Sequence, residues 1–174
     1  MATSFLEGGG FDYMILGGYA LPFYGAIRTT LDIDLAVMVM SDGEFSSLSS
    51  AAERAGLVRS VGSYEDGLAV FQAGRGGLEV ELWLRPDGVV WDTETLSRRR
   101  RQELGGVSVW IISPEDFVVN KLARRDRGVQ DEKDVAGVLE RMASSLGREY
   151  LLRRAKAAGV EALLEALEEH QGAP

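Results

Sequence analysis

The stretch "LGGYALPFYGAIRTTLDIDLAVMV", Leu16 to Val39, decides how this chain is read. Gly17 and Gly18 stop the apolar run "FDYMIL", which reads as a buried strand ending in a tight turn. Further on, "LDIDLAVMVM" (Leu31 to Met40) predicts a long, central strand. Residues i and i+2 of a strand project from one face, about 6 to 7 Å apart. Asp32 and Asp34 therefore point together. Two carboxylates held that close inside an apolar strand repel each other and lose hydration unless a cation or hydrogen-bond donors compensate them.

A divalent metal gives that compensation directly. Magnesium binds through one or two carboxylates plus phosphate oxygens, and a pair of metals can activate an attacking oxygen and stabilise a leaving one. A third carboxylate would come from a neighbouring strand. In "GLEVELWL" Leu78, Val80, Leu82 and Leu84 alternate with Glu79, Glu81 and Trp83, so one face is acidic, and Glu81 is preferred over Glu79 as the third acid. The glycines point to phosphate from the other side. A strand that ends in Gly-Gly and opens a helix lets backbone N–H groups and the positive helix end approach an anion without a Cβ in the way.

These residues resemble the signature of the DNA polymerase β-like nucleotidyltransferase superfamily: "LGG", thirteen residues, then "DIDL". The longer wording is similar to small bacterial and archaeal nucleotidyltransferases related to abortive-infection type IV toxins and to minimal nucleotidyltransferases. In "ISPEDFVVNKLARRDRGVQDEKDVAGVL" a helix lysine precedes an Asp-x-x-Asp-Val, as in those proteins. Strands with helices first and helices after suggest an α+β fold, and the resemblance implies a mixed sheet with helices and metal-dependent transfer of a nucleoside monophosphate from an NTP such as ATP, with release of pyrophosphate. By position it implies that Gly17, Gly18 and Arg28 bind nucleotide and that Asp32, Asp34 and Glu81 hold Mg2+ or Mn2+. Lys121 would neutralise phosphate charge, and Asp131 and Asp134 would orient Lys121 or the acceptor. Glu81 stands where the family generally has Asp, which is a departure.

Composition narrows the alternatives. At 174 residues the chain fits one domain with a helical extension, read as a nucleotidyltransferase-like core over 1–112 and a C-terminal helical part over 113–174 packed on it. A net charge of −8, from 27 acidic and 19 basic residues, argues against a broad duplex-binding surface. Cysteine is absent and the one histidine is His170, so disulfides, thiolate metal sites, Ser-His-Asp catalysis and multi-histidine zinc sites are excluded. Neither a leader pattern nor a membrane-length apolar run is present, and the expected location is the cytoplasm, with no membrane partner.

The remaining elements follow from caps and periodicity. Ser41 to Gly56 predicts a helix, "GLAVFQAG" and "GLEVELWL" a hairpin around Gly-Arg-Gly-Gly, "TETLSRRRRQELGG" a short polar helix and "VSVWIIS" a strand. Ser113, Pro114 and Asp116 form a capping arrangement for the next helix, and helices fill the rest of the chain. Arg98 to Arg101 read as a solvated or partner-facing run, which with Arg124, Arg125 and Arg127 offers a local patch for tRNA or phosphates. Leu151, Leu152, Ala155, Val160, Leu163, Leu164 and Leu167 read as core or homodimer packing. The leading expectation is an active enzyme acting on RNA, a protein hydroxyl or a small molecule, including the toxin of a toxin–antitoxin pair. The second is a nucleotide-binding or regulatory protein that keeps the fold without turnover, and the third is a scaffold.

Overall fold

The strand expected around the two aspartates forms as β2 (Asp32–Val37) and lies at the centre of a seven-stranded sheet. The computed structural model describes residues 3–26, 28–74 and 77–172, with side chains through residue 169. The other strands are β1 (Tyr13–Ile15), β3 (Leu57–Ser63), β4 (Leu68–Ala73), β5 (Glu79–Trp83), β6 (Arg100–Leu104) and β7 (Val107–Ile111). Their order is β3-β4-β5-β2-β1-β7-β6. β2 runs parallel to β5 and antiparallel to β1, while β1 runs parallel to β7, so the sheet is mixed and the fold is α+β as expected. Leu35, Ala36 and Val37 are fully buried, as a central strand requires.

The chain divides into two compact units, Met1–Tyr19 with Thr29–Pro86 and Arg100–Ile111, and Ala20–Arg28 with Asp87–Arg99 and Ile112–Pro174. The first holds the whole sheet with α1 (Ser4–Gly8) and α3 (Asp42–Arg54). Ser41 caps α3 by accepting from the Glu44 N–H, and Phe45, Leu48 and Ala52 form its buried stripe. After β1 a short α2 (Gly17–Ala20) and a 3-10 turn over Leu21–Tyr24 stand where a short helix was expected, closed by Gly25 at φ 76°.

The second unit contains α4 (Thr93–Arg98), α5 (Pro114–Ala123), α6 (Val129–Met142), α7 (Arg148–Ala157) and α8 (Glu161–Gly172). Ser113 caps α5 through the Asp116 N–H at 3.0 Å, with Pro114 in the first turn. Every residue from Pro114 to Leu122 is buried. Its acids tolerate this because each has partners: Glu115 accepts from Arg98 and the Gly147 N–H, and Asp116 accepts from Ser113 and Tyr150. Tyr24 meets Phe117 edge-to-face, with ring centroids 5.7 Å apart. Leu151, Ala155, Val160 and Leu164 are core positions of this unit.

Two expectations change. The stretch read as one polar helix from Thr93 onward is a helix only to Arg98; Arg100–Leu104 is strand β6, paired antiparallel with β7. Gly105 and Gly106, at φ 58° and 79°, supply the left-handed pair that a two-residue hairpin loop needs, and the pairing they permit overrides the polar composition. Edge strand β3 was not anticipated. A register shift between Arg59 and Val61 breaks its alternation, and Val58 and Val61 are exposed, so it carries no apolar period. The hairpin of β4 and β5 forms as expected, although Arg75 and Gly76 of its turn lie outside the described residues.

Candidate active site

Parallel pairing of β2 and β5 sets the site. Asp32 lies opposite Glu79, Asp34 opposite Glu81 and Ala36 opposite Trp83. Residues paired in register share a face. The reverse parity, Leu35 with Val80 and Leu82, is buried core. Four carboxylates therefore share one face of two adjacent strands, all partly buried.

Each aspartate has a neutral donor, and the one on Asp34 also serves Glu81. The Thr30 hydroxyl donates to Asp32 Oδ1 at 2.6 Å, and the Trp83 indole N–H donates to Asp34 Oδ1 at 3.2 Å. Glu81 answers the crowding differently. Burial first, then the charge of Asp34 and a hydrogen bond shared with it, and then Asp32, push its carboxyl up to about 7. The Glu81 carboxyl thus keeps its proton to higher pH than an ordinary glutamate.

The two glycines are fitted to the aspartates. Gly17 has φ 58°, and a Cβ there would fall 1.8 Å from Asp34 Oδ2. At Gly18 a Cβ would fall 2.8 Å from the Thr30 Cβ, next to the hydroxyl that serves Asp32. The Leu16 N–H donates to the Asp34 carbonyl at 2.9 Å and ties the Gly-Gly turn to β2. The pair is needed at this point because the acidic strand passes against the turn.

Lys121, Arg28, Asp131 and Asp134 gather in the second unit. Lys121 is 2% exposed; its Nζ donates to Asp131 Oδ1 at 2.8 Å and lies 3.6 Å from Asp134 Oδ2. Arg28 Nε stands at the same distance, 3.6 Å, from that oxygen. Burial raises the Asp131 carboxyl, but the Lys121 ammonium and the Gly128 N–H, donating at 3.0 Å, bring it below the ordinary range. Asp131 thus caps α6 and holds Lys121 at once. Gln130 donates to Asp134 Oδ1 at 2.8 Å, while Asp134 Oδ2 is buried without a hydrogen bond.

The arginine runs are largely neutralised. Arg98 pairs with Glu115 and Arg101 with Glu7; Arg124 pairs with Asp126 and Arg127 with Glu132. Arg125, 94% exposed, reaches Asp87 at 3.9 Å. Sequence reasoning missed Thr30 and Trp83, although the parity shared by Trp83, Glu79 and Glu81 was visible.

Carboxylate oxygens suit a hard divalent cation, and the repulsion from Asp34 and Asp32 that raises the Glu81 carboxyl is of the kind a bound cation would offset. Among the described residues no group of three or more His, Cys, Asp or Glu side chains is drawn into a closed metal-binding cluster. Asp34 and Glu81 touch, and Asp32 acts on Glu81 through its charge. The donor set fits, with ligands still to be drawn together.

Adjacent-strand carboxylates beside a Gly-Gly turn stand on a mixed sheet of the nucleotidyltransferase class. The sequence matches the family described as "Nucleotidyl transferase of unknown function" over residues 1–171, and the chain belongs to that family. No curated protein matches it in sequence. Among solved structures it is similar to the antibiotic-resistance factor ANT(2'')-Ia, with 15% identity over 98% of this chain and 92% of that one, at a TM-score of 0.58. It is also similar to the lincomycin-bound lincosamide antibiotic adenylyltransferase LnuA, with 14% identity over 76% and 89% of the two chains and a TM-score of 0.52. An antigenic nucleotidyltransferase-like protein from Paracoccidioides brasiliensis gives 18% identity, 93% and 86% coverage and a TM-score of 0.51. At such identities the likeness is one of fold.

Proposed function

We propose that the chain transfers a nucleoside monophosphate, AMP in the first instance, from an NTP to a hydroxyl of a small-molecule acceptor. The observation that carries this reading is the registered pair of Asp34 and Glu81, with Asp32 on the same face and Gly17 against Asp34. Asp32, Asp34 and Glu81 would hold Mg2+ or Mn2+, which would supply Lewis-acid stabilisation to the attacking and leaving oxygens. The Gly17–Gly18 turn lets Asp34 and Thr30 close against it, since neither residue places a Cβ there. Thr30 and Trp83 hold the aspartates. Lys121, paired with Asp131 and Asp134, joins α5 to α6, and Arg28 and Arg124 reach the same two acids with partly exposed side chains, 35% and 31%.

A small molecule is favoured over RNA because Arg98, Arg101, Arg124 and Arg127, which belong to the runs that suggested a nucleic-acid patch, face acids of the same chain. The structural relatives whose descriptions name an acceptor also act on antibiotics, over chains of similar extent. The test is incubation with α-labelled ATP, Mg2+ and a cell extract. Label is expected in a low-molecular-weight product, and Asp32→Asn with Asp34→Asn should abolish it. Label in tRNA or protein would favour the toxin reading. NTP binding without pyrophosphate release would favour the regulatory protein, for which Glu81 in place of Asp is the supporting observation.

A further inference from the structure

Trp83 pairs in register with Ala36, the smallest side chain on the acidic face of β2. A methyl group opposite leaves the indole free to lean back one pleat, where its N–H meets Asp34 Oδ1 at 3.2 Å. The other oxygen of Asp34 occupies the space that any side chain at position 17 would take, 1.8 Å from an ideal Cβ. Asp34 is thus held from two sides, by an indole and by the bare backbone of Gly17, while Glu81 shares a hydrogen bond with it. Thr30 holds only Asp32.

We propose that Trp83 is a positioning residue whose indole N–H fixes the Asp34 carboxylate in the orientation needed to bind cation and nucleotide. A carboxylate beside another acid has several rotamers of similar energy, and a metal that needs two or three such groups must first order them. A donor on Oδ1 narrows that choice before the ligand arrives, because the indole N–H pins the carboxylate at one oxygen. Hydrogen bonds to charged groups contribute enough for removal to weaken binding on the order of ten-fold. This inference rests on the metal and nucleotide reading given above.

Two measurements separate the contact from that reading. In the metal-free protein the indole N–H resonance of Trp83, assigned as the signal lost in Trp83→Phe, should shift upfield in Asp34→Ala; an unmoved resonance would overturn the contact. Mn2+ binding in the presence of ATP, read from loss of the free-ion EPR signal, should be about ten-fold weaker in Trp83→Phe, with recovery in Trp83→His, which restores a ring N–H. Equal Mn2+ affinity in the wild type and Trp83→Phe would overturn the positioning role. If Trp83→Phe folds poorly, the double variant Trp91→Phe with Trp110→Phe leaves Trp83 as the sole fluorophore, and its emission should change on adding Mn2+ and ATP. A constant emission while Mn2+ binds would likewise overturn it. If the wild type binds no Mn2+ while the indole resonance still reports Asp34, the nucleotidyltransferase reading fails and the contact is structural only.

Discussion

At the scale of single residues, Gly17 and Glu81 make opposite demands on the same aspartate. Gly17→Ala forces a Cβ onto Asp34 Oδ2 from a backbone at φ 58°. The left-handed backbone alone costs about 1–2 kcal/mol, and Asp34 must also move, so NTP binding should be lost while the sheet survives. Urea melting paired with a nucleotide titration checks both parts. Glu81 yields a pH signature. Its folded carboxyl titrates near 7 instead of the ordinary 4.5, so its protonated form favours the folded state. The stability it contributes in metal-free protein is full below about 4.5 and declines as pH rises through about 7. Glu81→Gln, which keeps the neutral form at every pH, should therefore flatten this dependence and melt later than the wild type at pH 8. A wild type whose chelator-treated melts were no less stable at pH 8 than at pH 5, relative to Glu81→Gln, would contradict it.

Among the elements, the pair α5 and α6 depends on a buried charge lock. Lys121→Met removes the cation that serves Asp131 and Asp134 and leaves both acids buried without it. Breaking a buried pair in this way costs about 3–5 kcal/mol. A loss of that size in urea denaturation is expected, with partial recovery when Asp134→Asn is added; an unchanged midpoint would show that the lock does not stabilise these helices. Legibility from sequence followed the same logic of local against distant cause. The central strand, the Ser41 and Ser113 caps and the hairpin of β4 and β5 were readable because alternation and capping are written in neighbouring residues. Edge strand β3 and strand β6 were not, because β3 is bulged and exposed, and β6 owes its existence to pairing across Gly105 and Gly106. The acidic face was legible as parity on each strand separately. That Asp34 lies opposite Glu81, and that Trp83 reaches Asp34, depends on which strand neighbours β2, and no local pattern carries that.

For the whole molecule the governing quantity is charge. The chain carries −8, and four arginines of the two runs, Arg98, Arg101, Arg124 and Arg127, face acids: Glu115, Glu7, Asp126 and Glu132. Binding to a polyanion gains its free energy largely from counterions released as free Lys and Arg neutralise phosphates, and guanidinium groups already paired release few. A further acidic face on β2 and β5 repels the same backbone. Fluorescence anisotropy with labelled bulk tRNA at about 0.15 M salt should therefore show no binding at low micromolar protein, where dedicated binders with several phosphate contacts would saturate. Mg2+ with ATP should still raise the melting temperature, because that site needs only local compensation of three carboxylates. Submicromolar tRNA binding would reverse the preference for a small-molecule acceptor. Its salt slope would then count the phosphate contacts, about 0.9 per neutralised phosphate for duplex regions, and show whether Arg125, the most exposed of these arginines, is among the groups involved.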